Sequence, residues 1–285
     1  MTSQYQDPGQ SSWGGGGESG PAMRMALPAV TPMVKRLMLI NGVAWVAFFA
    51  AFMVDKSVFV VHLLGLSPQV WEANFPLVPV WQVLSYAFLH TVDPTHLLMN
   101  MLLLFFFGTM LETMLGSNRF LTLYLGAALC GALFHLMGEW MLGGSAPAIG
   151  ASGAVLGVLV AAAVLRPDAT VFLFFFPVRL KWLATGIVAI DAIRLLIGLK
   201  SGQSDMVAHF VHLGGALYGF LAARQGWVRW DPIGRWRQRR DAGRDNRRQV
   251  DQERLDGLLE KIHSQGLGSL SGKEKEFLKR VSRKG

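Results

Sequence analysis

The sequence predicts an all-α polytopic membrane protein, six spans followed by a short soluble helical tail, and three observations carry that expectation. Apolar residues fill 52% of the 285 positions and charged residues only 16%, well short of the roughly 25% charged residues of a soluble protein. Six apolar stretches, at 35–54, 96–116, 120–140, 152–165, 180–199 and 207–223, mostly approach the ~20 residues that cross a ~30 Å hydrocarbon core. The net charge of +8 sits in the C-terminal region, where residues 224–285 hold 17 Lys+Arg against 9 Asp+Glu and the preceding body is neutral. A simple soluble domain and a disordered chain are excluded, and a nucleic-acid-binding globule is disfavoured.

Residues 1–30 are rich in Gly, Ser, Gln and Pro and are expected to be a disordered N-terminal segment. No basic stretch leads directly into an apolar core there, so a signal peptide is not expected. Residues 31–223 form the six-span body. Within it, 55–95 reads as a long outer loop whose Trp71, Phe75 and Trp81 suit a membrane interface. The fourth stretch, Ser152 to Leu165, is short: 14 residues reach only ~21 Å. The Gly-Gly-Ser-Ala-Pro run at 143–147 before it cannot continue a lipid-exposed helix. Its N-terminus must therefore start inside the bundle, about 9 Å below one membrane surface. Val171 to Pro177 is too short to span and reads as an interfacial or re-entrant piece.

Beyond the body, 224–249 reads as a basic juxtamembrane linker and 250–285 as a helical tail. Leu255, Leu258, Leu259 and Ile262 follow helical spacing, and Ser271 with Glu274 forms a capping-box signature for a second helix. The Arg-rich run suits contact with anionic lipid. Lys and Arg in the short loops gather on the tail's side, which by the positive-inside rule puts both termini in the cytoplasm. The layout points to a bacterial inner membrane. Cys130 is alone, so neither an intrachain disulfide nor a cysteine-based zinc site can form.

Ionisable and nucleophilic groups at membrane depth are costly and mark function. With Arg166 and Arg224 as inner-boundary markers, Ser152 lies 14 residues and His212 12 residues from that face, or ~21 Å and ~18 Å. Asn100 lies 17 residues from Ser117, ~25 Å, with His96 one turn further. Four polar residues from three helices thus share one layer of the outer half. Ser152 follows Gly150-Ala151 at a helix start, where free N–H groups and the positive dipole end can face an oxyanion. Gly153 and Gly157, and likewise Gly215 and Gly219, form small faces that let two helices approach closely.

Serine needs a base, and histidine is the usual one. No acid neighbours either histidine in sequence, so the minimal reading is a Ser152–His212 dyad, with His96 and Asn100 as oxyanion donors worth about 2.7–4 kcal/mol each. His209, one turn before His212, is a rival base that depth alone does not separate. Glu112 reads as a hydrogen-bonding residue near the inner end of the second helix. Asp191 and Arg194, at i and i+3, read as neutralising each other. Gly202 could make the 201–205 loop a lid.

Across 34–223 these residues resemble the rhomboid intramembrane serine proteases. The likeness rests on Trp81 with Phe88-Leu89-His90, on His96 with Asn100-Met101, and on Gly108 with Glu112. It continues through Gly116-Ser117-Asn118-Arg119-Phe120, Gly150-Ala151-Ser152-Gly153, and His212-Leu213-Gly214-Gly215 with Gly219. The resemblance implies Ser152 as nucleophile, His212 as general base, and an oxyanion hole of His96, Asn100 and the Ser152 N–H. It implies a transmembrane protein as substrate, cut near its outer end, with no cofactor or metal. Two positions depart from the family pattern. Gln82 follows Trp81 where an arginine is common, removing a loop-anchoring guanidinium, and Leu156 stands where some members carry an aromatic. The alternatives are a catalytically silent rhomboid-like protein that binds membrane helices, and a metal-dependent enzyme or transporter using His90, His96, His209 and His212. The metal reading lacks acidic ligands, since only the loop residues Asp93 and Asp205 lie near that layer.

Overall fold

A computed structural model describes residues 29–173, 176–201 and 206–282. The 1–28 part of the N-terminal segment and Gly202 of the suggested lid lie outside them. Helix α1, Pro32–Met53, starts on a proline at its first position, where a missing N–H costs nothing. It buries one narrow stripe, including Val34, Leu37 and Asn41, and turns Leu39, Val43 and Val46 outward. The following segment is a folded cap carrying α2, Ser57–Leu64, α3, Pro68–Ala73, and α4, Gln82–Ser85, which runs on into a 3₁₀ turn at Tyr86–Phe88. Its rim exposes Phe59, Phe75, Leu77, Val80 and Trp81, the apolar edge of a surface meant for a membrane interface.

The second long helix is built in three pieces. Helix α5, Pro94–Leu103, begins where the Asp93 carboxylate accepts from Thr95 N at 2.9 Å; the Thr95 hydroxyl and N–H hold that carboxyl below its ordinary range. A π-helical turn, Leu104–Gly108, leads into α6, Thr109–Leu115. Gly116 (φ 81°) then turns the chain into α7, Ser117–Leu142.

Helix α8, Ser152–Leu165, is the centre of the bundle, with every residue from Gly153 to Ala163 buried. Helices α9, Leu180–Ser201, and α10, Met206–Arg224, complete the body. Helix α10 packs on α8 and α7, whereas α9 stands at the periphery, only 17% of its most apolar stretch buried. Among the described residues four helices are long and apolar enough to cross a membrane: Pro32–Met53, Pro94–Leu115, Ser117–Leu142 and Leu180–Lys200. Ser152–Leu165 is the short apolar helix that the sequence leads one to expect.

Two elements differ from expectation. The chain is mostly helical, but Thr170–Leu173 (β1) and Phe176–Arg179 (β2) pair as an antiparallel ribbon, Val171 opposite Val178. Val and Phe favour extended backbone and Pro177 cannot continue a helix, so the piece expected to be interfacial or re-entrant takes the form of paired strands. The expected linker 224–249 is helical from Pro232, as part of α11, Pro232–Gln265. Asp231 caps it by accepting from Gly234 N at 2.7 Å, Pro232 holds the first position, and the arginines and glutamines that follow are good helix formers. Helix α12, Gly272–Ser282, folds back on α11 around Leu258, Leu270 and Phe277.

Candidate active site

Ser152 is the first residue of α8, half-buried, and the chain that delivers it is pinned on several sides. Leu66 and Ala148 exchange two backbone hydrogen bonds, at 3.0 and 2.9 Å. Gly150 N donates to Tyr86 O at 2.9 Å, while the Tyr86 hydroxyl donates to Ala128 O at 2.7 Å. Ala146 N donates to the buried carboxylate of Glu139 at 3.0 Å. Gly150 adopts φ 129°, a region that side chains rarely enter. A β-carbon there would also come 3.0 Å from His96 Nε2 and 3.6 Å from Ser152 Oγ. The His96 ring, the Gly150 backbone and the Ser152 hydroxyl thus converge on one spot at the helix start.

The glycine faces meet. A β-carbon on Gly215 would collide with the Gly153 carbonyl, and one on Gly219 with the Gly157 carbonyl. Helices α8 and α10 therefore touch backbone to backbone, a contact only glycine permits. His212, one turn before Gly215, follows Val211, whose backbone carbonyl lies against Gly153 in the first turn of α8. Ser152 Oγ and His212 are not joined by a direct hydrogen bond. Asn100 is buried and its Nδ2 donates to His96 O at 2.9 Å, so its amide is engaged by its own helix.

His212 is oriented from another side. Its Nδ1 lies 3.2 and 3.1 Å from the two carboxylate oxygens of Asp191 on α9, and His209 Nδ1 lies 2.8 Å from Oδ1. The Asp191–Arg194 pairing expected from spacing does not form; Arg194 is exposed and the carboxylate turns to α10. No acid neighbours the histidines in sequence, but the fold brings Asp191 to them from α9. Its signal was available: Arg179 marks the same boundary and Asp191 lies 12 residues above it, ~18 Å, the depth of His212. Asp191, His209 and His212 offer ligand atoms within 4.8 Å of one another, a donor set that could take a divalent cation.

Glu112 and Trp81 lie away from this centre. The Glu112 carboxylate accepts from Met33 N at 2.9 Å, Val34 N at 2.8 Å, and the hydroxyls of Thr31 and Ser117, both at 2.5 Å. It caps α1 from across the bundle, where the four orphan N–H groups of a helix start need acceptors. Trp81 donates to Leu63 O at 2.8 Å on the cap's surface. Gln82 supplies the anchorage attributed to an absent guanidinium: fully buried, it donates to His62 O at 2.6 Å and accepts from Trp71 Nε1 at 3.1 Å and Ser67 N at 3.3 Å. Leu156 packs in the core. His90 is fully buried with its ring edge-on to His96 at 5.1 Å. His135 is fully buried too.

A model of the rhomboid domain matches residues 79–228, more than half of the chain and all of this centre. The chain belongs to the rhomboid family. A second match, to a family of unknown function, covers residues 244–284, the α11–α12 fold-back. The rhomboid is 40% identical over 162 residues to "Rhomboid protein 1, mitochondrial" of Saccharomyces cerevisiae, covering 55% of this chain and 44% of that one. It is 31% identical over 171 residues to "RHOMBOID-like protein 12, mitochondrial" of Arabidopsis thaliana, covering 55% and 48%. Over 145 residues it is 30% identical to the human "Presenilin-associated rhomboid-like protein, mitochondrial", covering 48% and 37%. The chain thus spans less than half the length of these relatives. All three carry mitochondrial names, which overturns the expected bacterial inner membrane.

Proposed function

We propose that this rhomboid is an intramembrane serine endopeptidase. Its six helical segments cross the bilayer with α8 starting inside the bundle. It cuts the transmembrane helices of other proteins near the end opposite the basic tail, and it needs no cofactor. One observation supports this reading: α8 and α10 meet backbone to backbone at Gly153 and Gly215, with Ser152 at the start of one helix and His212 one turn before the glycine of the other. A serine hydroxyl there meets three requirements of acyl transfer. His212 takes its proton and later returns it to the leaving amine. The α8 start presents backbone N–H groups and a positive dipole end to the oxyanion. His96, converging on the same spot through Gly150, adds a donor. Asn100 joins it when its amide leaves the His96 carbonyl.

A substrate helix must expose its amide to be attacked, so helix-breaking or small residues at the depth of Ser152 select the bond. The arginines of α11 rest on anionic lipid headgroups and hold the tail at the opposite face. Reconstitution in lipid vesicles with a single-span reporter, its helix interrupted by Gly-Ala at that depth, tests the reading. Cleavage by the wild type, lost in Ser152→Ala and in His212→Ala, is expected. Equal cleavage by wild type and Ser152→Ala overturns it.

A further inference from the structure

We propose that Asp191 is the positioning residue of the His212 base, so that the dyad works as a Ser152–His212–Asp191 relay in which His209 holds the carboxylate. The inference rests on the protease reading and adds a fourth helix, α9, to the machinery.

The geometry leaves little freedom. An ionised carboxylate only accepts, and neutral imidazole carries one N–H. With His212 Nδ1 at 3.2 and 3.1 Å from the Asp191 oxygens, the proton belongs on Nδ1, leaving the Nε2 lone pair as the basic site. Without a carboxylate the two tautomers compete, and the Nε2–H form cannot take the serine proton. When Nε2 receives that proton, the imidazolium formed lies against a negative charge in a site largely screened from water, where such an interaction is strongest. In the reverse step Nε2 gives the proton to the leaving amine and the pair returns to its resting form. The carboxylate itself stays ionised throughout.

Burial argues in the same direction. Asp191 is 9% exposed, and a carboxylate at membrane depth persists where partners and function retain it. His209 and His212, three residues apart on α10, both turn their Nδ1 to it. His209 is the shorter contact, 2.8 Å to Oδ1. It therefore fixes the carboxylate in place while His212 spans both oxygens. Titratable groups around His212 are Asp191 on α9, His209 on its own helix, and His96 on α5. Asp191 is the acid that contacts it.

The test uses full-length protein in detergent micelles or vesicles, with fluorophosphonate labelling and reporter cleavage as activity readouts. Asp191→Asn should lower kcat by about 10²–10⁴-fold with KM nearly unchanged, because the amide can donate to Nδ1 and trap the wrong tautomer. Asp191→Glu should recover part of that loss. His209→Gln, which keeps a donor for the carboxylate, should lose far less than Asp191→Asn. ¹⁵N NMR of the wild-type imidazoles should show His212 protonated at Nδ1, a readout that does not depend on a variant folding. An Nε2–H tautomer, or labelling of Asp191→Asn within threefold of wild type, overturns the proposal while leaving the protease reading intact. Loss of labelling on chelation, restored by zinc, also overturns it, since Nδ1 would then be a ligand. A wild type that never labels removes the protease reading and this proposal with it.

Discussion

Glu112 shows how one side chain far from the chemistry sets the frame for it. Its carboxylate takes two backbone N–H groups and two hydroxyls from both ends of a helix–helix junction. Glu112→Gln keeps the shape but removes the charge facing the α1 dipole and turns one acceptor into a donor. That change should cost about 1–2 kcal/mol. A lower melting temperature in detergent, with serine labelling per folded molecule unchanged, is the expected pair of results. Gln82 is the converse case, a residue whose worth the sequence hides. Against the family pattern it reads as a lost arginine, yet a buried amide both donates and accepts and so ties His62, Ser67 and Trp71 together. Gln82→Ala leaves those groups unpaired and should loosen the cap by about 1–3 kcal/mol. Faster hydrogen exchange across 57–90 would register it. That Ser152 opens a short buried helix and that the glycine faces of α8 and α10 meet was legible from the sequence. Which carboxylate a histidine meets was not, because that depends on how α9 is rotated.

At the scale of elements, the α8–α10 contact is where function and packing coincide. Lipid offers no hydrophobic drive for helices to associate, so close approach and dispersion hold the pair. Gly215→Ala forces a methyl into the Gly153 carbonyl, and the helices must part or tilt. Labelling at Ser152 should fall at least about tenfold, with a stability loss of about 1–3 kcal/mol. Gly186→Ala, whose β-carbon meets nothing within 4 Å, is the control and should leave both unchanged or raise stability slightly. The fold-back of α12 makes a separate prediction. The Ser271 N–H, Lys261 and the Ser271 hydroxyl hold Glu274 down from 4.5 to about 2. A depressed carboxyl stabilises the folded form above its unfolded value and stops doing so as pH falls through the folded one. Amide exchange in α12 should therefore quicken between about pH 4.5 and 2 and not above. The six apolar segments and this capping box could be read from spacing. The β1–β2 ribbon and the long reach of α11 could not, since short apolar runs and charged runs are each compatible with more than one backbone.

For the whole molecule, the asymmetry of charge separates a neutral, apolar body from a basic appendage. Arg237 donates to Asn118 at 3.2 Å, tying α11 to the end of the body that carries Arg119 and Arg166, away from the Ser152 layer. On the proposed reading the apolar body spans the bilayer whatever the salt, and the basic tail holds lipid electrostatically. A peptide of residues 224–285 should float with anionic vesicles at low salt and release at moderate salt, where screening shortens to ~8 Å; retention at high salt would point to docking on protein or buried apolar contact. Which membrane houses the chain was not legible from loop charge, because that rule orients a protein without naming its compartment. The mitochondrial names of the relatives are what overturn the bacterial inner membrane.

The central claim is that Ser152 is an activated nucleophile. Intact-mass analysis of purified protein after fluorophosphonate treatment tests it most directly. One adduct mapping to Ser152, absent from Ser152→Ala and from His212→Ala, is the predicted result. An adduct of equal yield in Ser152→Ala, or none on folded wild type, would contradict it.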